Sequence, residues 1–211
     1  AEQALSDFQD KLQAALDATR AQNPGDVTAA RPPKALGVLA HIPTGVDRAK
    51  LDSIFNKLTD YPEGFTVHPK LGRQFDTRAK MYADGIVDWA LAEAMAYGSL
   101  VQEGHPVRLA GQDSRRGTFS HRHAALIDHN TGQAWIPLDN LDDAAANFWV
   151  FDSLLSEYAA MGYEYGYSHA NSDALVLWEA QFGDFVNGAQ IIIDQYIVAA
   201  EDKWKQQNGV V

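Results

Sequence analysis

Glu157 stands in the stretch SLLSEYAAMGYEYGYS, residues 153–168, where a period of 3.6 residues gathers Leu154, Tyr158, Met161 and Tyr165 into one apolar stripe with the acid inside it. A carboxylate placed there loses water, which favours its neutral form and raises its pKa, as suits a group that holds or shares a proton. The alternative is an acid at the stripe's edge that reaches solvent or an arginine. Ala159, Ala160, Gly162 and Gly166 give the same helix a small-residue face, on which another backbone or a second subunit can approach closely.

Three further constellations carry polar or planar chemistry. LAGQDSRRGTFSHRHA (109–124) follows directly on a strand-like run and packs Gln112, Asp113, Arg115, Arg116, His121, Arg122 and His123 together. In open α/β sheets ligands gather beyond the carboxyl ends of strands, so this is either a ligand loop or an exposed polar loop laced with ion pairs. His121 and His123, two apart, would share one face of a strand, and Asp113 would be the third member of a metal site, an alternative on weak spacing. In WEAQFGDFVNGAQIIIDQY (178–196), Phe182 and Phe185 flank a strand-to-helix turn, as a stacking surface for a planar ligand or as core. A dinucleotide fingerprint, a P-loop and a G-x-S-x-G elbow are all absent from the sequence.

The elements that must position these residues follow from the hydrophobic pattern. Apolar runs at 107–111, 124–128, 134–138, 148–152 and 174–180 read as strands, and they alternate with helices from about 154 and from Phe182 to Lys203. That alternation predicts an α/β fold with a largely parallel sheet flanked by helices. Asn130, Thr131 and Gly132 between two apolar runs predict a β-hairpin insertion. Upstream, helices are expected over 3–22, over VDRAKLDSIFNKLTD (46–60), and at Val87 to Glu103, with shorter helical pieces between the last two. QNPGDVTAARPPKALG (22–37) reads as a linker or covering loop, so that 1–46 form a helical extension with a Pro/Gly-rich linker and the α/β domain follows over 47–211.

Composition narrows the function classes. With 17 Lys and Arg against 28 Asp and Glu, the net charge of −11 disfavours diffuse binding to nucleic acid or to an anionic membrane. No cysteine is present, which removes disulfides, thiolate zinc and thiol nucleophiles. No apolar stretch approaches the roughly 20 residues of a membrane span. The expectation is a soluble, cytoplasmic chain. Its start at Ala1 and its end in NGVV, a turn leading into a strand, read as a segment of something longer.

Taken in order, VRLAGQDSRRGTFSHRHA, FDSLLSEYAAMGYEYGYS and LWEAQFGDFVNGAQIIIDQ resemble the thiamine-diphosphate-dependent E1 component of 2-oxoglutarate dehydrogenase, above all its actinobacterial multifunctional branch. The resemblance runs from about Asp47 to the C-terminus. It implies a thiamine-diphosphate-binding fold, with 47–211 the pyrimidine-binding, transketolase-like domain truncated at its C-terminal end. By the same resemblance Glu157 is the glutamate that hydrogen-bonds N1′ of the aminopyrimidine, Phe185 stacks on that ring with Phe182 as the fallback, and Gln112, or its neighbour Asp113, lines the passage between two active sites. The implied reaction is decarboxylation of 2-oxoglutarate with transfer of the succinyl unit to a lipoyl-bearing acyltransferase, in a homodimer that uses thiamine diphosphate and Mg2+. The family's Gly-Asp-Gly…Asn diphosphate and metal motif is absent, so those ligands are expected outside this segment, and the isolated segment is expected to be inactive. The competing reading is a catalytically silent dimerisation domain.

Overall fold

Val107–Gly111 (β1) is apolar except for Arg108, and it is buried on both faces because it forms the middle of a three-stranded parallel sheet. The structure is a computed structural model that describes residues 2–21 and 43–211. Phe148–Asp152 (β4) and Leu175–Glu179 (β5) flank β1 in parallel register, with Gly111 opposite both Asp152 and Glu179. The three strands therefore end level. Beyond β5, Val210 continues the parallel pattern through a bridge to Val176.

Between β1 and β4 the chain makes the expected hairpin, Leu126–Ile127 (β2) against Ala134–Trp135 (β3), antiparallel. Asp128 at its turn is buried. It accepts hydrogen bonds from the backbone N–H groups of Thr66 (2.6 Å), Asn130 (2.8 Å) and Thr131 (2.6 Å). These N–H donors favour the charged carboxylate and hold its pKa down at about 2, below its ordinary 3.8. A depressed folded-state value contributes stability above the unfolded value, and that contribution is lost as pH falls through the folded one. In thermal unfolding Asp128→Asn is therefore expected to melt below the parent by a constant margin above pH 5, and the margin should shrink as pH falls from 3.8 toward 2. A pH-independent margin would assign the loss to shape rather than charge.

Helices cover both faces of the sheet, as an α/β layer arrangement requires. Trp89–Gln102 (α4) starts at Asp88, whose side chain accepts from the Leu91 N–H (2.7 Å), and packs on β1 and β4. Arg48–Leu58 (α2) lies against α4, and Pro69–Ala83 (α3) opens with proline at its first position behind the His68 cap. Glu157–Ala170 (α5) joins β4 to β5 across β1 and packs on β1 and β5. The main core of Ile54, Val101, Val107, Leu109, Leu138 and Phe148 lies between α2, α4 and the sheet.

The region expected as one helix from Phe182 to Lys203 is broken. It runs as a 3-10 helix Gly183–Ala189, a short α turn Gln190–Ile192, a π turn Ile193–Ile197 and a last α turn Ala200–Trp204. Gly183, Asn187 and Gly188 are weak helix formers, which explains the irregular start. In an ideal helix Ala200 would lie about 80° around from Ile192, whereas the wider π turn lets both be buried.

The N-terminal residues, Ala1–Gly45, separate from Val46–Val211 as a unit of their own. Within them Glu2–Ala21 (α1) is an amphipathic helix with Leu5, Phe8, Leu12 and Leu16 on one face. The linker expected over 22–37 lies outside the described residues. Among the described residues no helix is long and apolar enough to cross a membrane.

Candidate active site

Each strand of the sheet delivers one part of the site at its carboxyl end. Gln112 follows β1, Glu157 follows β4 after a short turn, and Gln181, Phe182 and Phe185 follow β5. Because β1 lies between strands that the chain visits later, the carboxyl ends of the strands here are where an open α/β sheet gathers a ligand.

Glu157 is the first residue of α5 and not an interior residue of an apolar stripe, which corrects the reading from periodicity. Ser156 caps the helix by accepting from the Ala159 N–H (3.3 Å), so the chain before it is not helical and Leu154 is 82% exposed. Met161 alone of the four stripe residues is buried, and Tyr158 is half exposed. An acid in the first turn also complements the helix dipole.

The carboxylate of Glu157 is half-buried and directed by two neighbours. Gln112 donates from Nε2 to Oε1 at 3.0 Å. On the other side lies Gly188, where an added Cβ would come within 3.2 Å of Oε2. Phe185 precedes Gly188 by three residues in a 3-10 helix, where such positions eclipse, so its ring stands on the same side as the carboxylate's neighbour. Phe182 and Phe185 are exposed at 43% and 47%, so they are not core. Their rings meet edge to face at 6.0 Å, and Phe119 extends the aromatic run by packing on Phe182 at 5.8 Å.

Asp113 belongs to a different set of contacts. With φ at 59°, it turns the chain after Gln112, accepts from Gln181 Nε2 (2.7 Å) and pairs with Arg116 (3.1 Å). The metal alternative built on His121, His123 and Asp113 is not assembled. The loop is turned by positive φ at Ser120 and His123, not extended, and the His123 ring nitrogen bonds to the Ser120 carbonyl (2.9 Å). Among the described residues no group of three or more His, Asp or Glu is placed to hold a metal. A small cavity of about 30 Å3 beside α4, lined by Phe55, Phe75, Tyr97 and Phe148 together with Glu93, Arg122 and His123, contains none of Gln112, Glu157, Phe182 and Phe185.

Two ion clusters whose partners the sequence pattern did not identify tie together the elements that carry the site. Arg122 is buried and bridges Glu93 on α4 and Glu179 at the end of β5, donating to both Glu179 oxygens at 2.6 and 2.9 Å and to the Ser114 carbonyl at 3.0 Å. Burial pushes the Glu179 carboxyl up, but Arg122 more than offsets this and leaves it below the usual range. Arg108, the second residue of β1, pairs with Glu164 on α5. The signal for the second pair was present, since a charge inside an apolar central strand requires a buried partner.

The transketolase pyrimidine-binding domain family matches residues 86–211. The multifunctional 2-oxoglutarate metabolism enzymes of Mycobacterium sp. strains JLS and KMS are each 45% identical over 218 aligned positions, which cover 100% of this chain and 17% of their own length. The 2-oxoglutarate dehydrogenase E1 component of Rickettsia conorii is 52% identical over 169 positions, 80% of this chain and 18% of that protein. The chain thus spans less than a fifth of the length of these curated relatives. Its parallel sheet, flanking helices and hairpin fit that family, and the chain belongs to the transketolase pyrimidine-binding domain family.

Proposed function

We propose that this chain is the pyrimidine-binding part, residues 47–211, of a thiamine-diphosphate-dependent 2-oxo acid dehydrogenase E1 that decarboxylates 2-oxoglutarate and passes the succinyl unit to a lipoyl-bearing acyltransferase. The similarity to the mycobacterial and rickettsial proteins supports the enzyme class. The observation that carries the site is the Glu157 carboxylate at the carboxyl end of the sheet, oriented by Gln112 and adjoining the Phe185–Gly188 turn.

These residues fit an aminopyrimidine. A flat ring needs one aromatic face and one group that exchanges a proton with a ring nitrogen, and here an exposed phenylalanine stands three residues before the glycine that adjoins the half-buried acid, in the same 3-10 helix. In this reading Phe185 bears on the ring with Phe182 beside it, Glu157 holds the proton at N1′, and the Gln112 amide fixes which carboxylate oxygen does so. Thiamine diphosphate supplies the nucleophilic carbon and the electron sink for decarboxylation. Mg2+ and the diphosphate would be held by residues outside this segment. The exposed run Phe151, Leu154, Leu155 and Tyr158 beside Glu157 supports a homodimer in which a second subunit covers the site and excludes water. We assign the enzyme to the cytoplasm.

Glu157→Gln in a complete E1 polypeptide carrying this segment tests the reading. Exchange of the C2 proton of bound thiamine diphosphate for deuterium, followed by NMR after acid quench, is expected to slow at least about a hundredfold while the dimer stays intact. Exchange at the parent rate would sink the catalytic reading and leave a silent dimerisation domain.

A further inference from the structure

We propose that Arg108 and Glu164 are positioning residues that set the register of α5 on β1 and so hold the Glu157 carboxylate against Gln112; the inference rests on the role of Glu157 proposed above. Arg108 donates from Nε and Nη2 to the two oxygens of Glu164, at 2.6 and 2.9 Å, and Glu164 is 2% exposed. The guanidinium is also enclosed by rings, with Phe151 and Tyr167 each at 4.6 Å and Tyr163 at 5.2 Å. Its edge is taken by the carboxylate and its faces by aromatics, so it has one orientation available.

The same two elements are joined a second time by Gln112 and Glu157. Arg108 and Gln112, the residue just past the end of β1, are four residues apart, about 13 Å along the strand direction. Glu157 and Glu164 are seven apart on a helix, about 10.5 Å and only about 20° short of two full turns. Both acids therefore face β1, at nearly the spacing of their partners, as two rungs between a strand and the helix that runs back along it. A slip of one residue along α5 would rotate Glu157 by about 100°, away from Gln112. The buried rung at 164 prevents that slip, because Glu164 could not keep a two-bond pair with Arg108 after it.

The test uses the complete E1 polypeptide with thiamine diphosphate and Mg2+ as probe. Glu164→Gln is expected to slow C2 proton exchange about 10- to 100-fold at saturating cofactor, as a misplaced catalytic group does. Thiamine diphosphate affinity should change by less than about threefold, since the loss is orientation of the acid and not of the binding surface. The double variant Glu157→Gln/Glu164→Gln should be no slower than Glu157→Gln, because Glu164 acts through Glu157. Without cofactor, backbone amide exchange over residues 157–164 should quicken in Glu164→Gln. If Glu164→Gln does not fold, Arg108→Lys takes its place, since it keeps the charge and loses the two-bond fork. A lowered melting temperature with unchanged C2 exchange, or additive losses in the double variant, overturns the positioning role alone. Parent-rate exchange in Glu157→Gln overturns the reading of Glu157 and this inference with it.

Discussion

Arg122→Met is expected to destabilise the chain by about 3 kcal/mol, because it leaves two carboxylates facing each other without their shared cation. The figure is at the low end for broken buried pairs, since the Glu93 and Glu179 side chains keep 28% and 29% exposure while Arg122 has 5%. The loss should depend on pH. Arg122 holds the Glu179 pKa below its ordinary 4.5, so the contribution is present above 4.5 and fades as pH falls through the lowered folded value. Urea unfolding of parent and variant should accordingly show the widest gap near neutrality and a narrower one below pH 4.5. Adding Glu179→Gln to Arg122→Met should recover part of the loss, since it removes one of the unpaired charges. Equal stability of parent and Arg122→Met at pH 7 would mean that solvent, not Arg122, compensates the two acids.

Gly111→Ala is expected to cost about as much, for a steric reason. A Cβ at Gly111 would lie 2.1 Å from the Glu179 carbonyl oxygen and 2.7 Å from Ser114 Oγ. The first of these is backbone of the neighbouring strand, so relief requires the strands to part, and overpacking of this kind costs about 1–3 kcal/mol or more. The strain falls at the residue before Gln112. Cofactor binding by the complete enzyme should therefore weaken together with stability. Gly166→Ala is the control: nothing lies within 4 Å of a Cβ there, and in the interior of α5 alanine should stabilise by about 0.5–1 kcal/mol. A shift in the urea midpoint at Gly111 no larger than at Gly166 would show that the sheet yields easily.

Much of the architecture was legible along the chain. The runs 107–111 and 148–152 are β1 and β4 to the residue: β1, buried on both faces, needs continuous apolar sequence, the edge strand β4 keeps Phe148 and Val150 buried, and the turns around both end them. Asn130, Thr131 and Gly132 marked the hairpin through local turn chemistry. Three motifs in order were enough for the family, and Gln112, Glu157, Phe182 and Phe185 were singled out from them.

What the tertiary structure decided is where pairing replaces period. Hydrophobic periodicity placed Glu157 within a stripe, but the Ser156 cap begins the helix there and gives the acid a helix end and a glutamine in place of an apolar setting. The broken helix after Phe182 could not be read either, since Ala189, Ile192, Ile193 and Ile197 pack with Met161 and Trp178, and those contacts are not local in sequence. Glu164 and Glu179 look like ordinary surface acids in the sequence. Their partners Arg108 and Arg122 stand 56 and 57 residues away, and only chain closure across the sheet brings such groups together. Local pattern reports which face of an element is buried, whereas the partner of a buried charge is set by distance in space, which no local pattern contains.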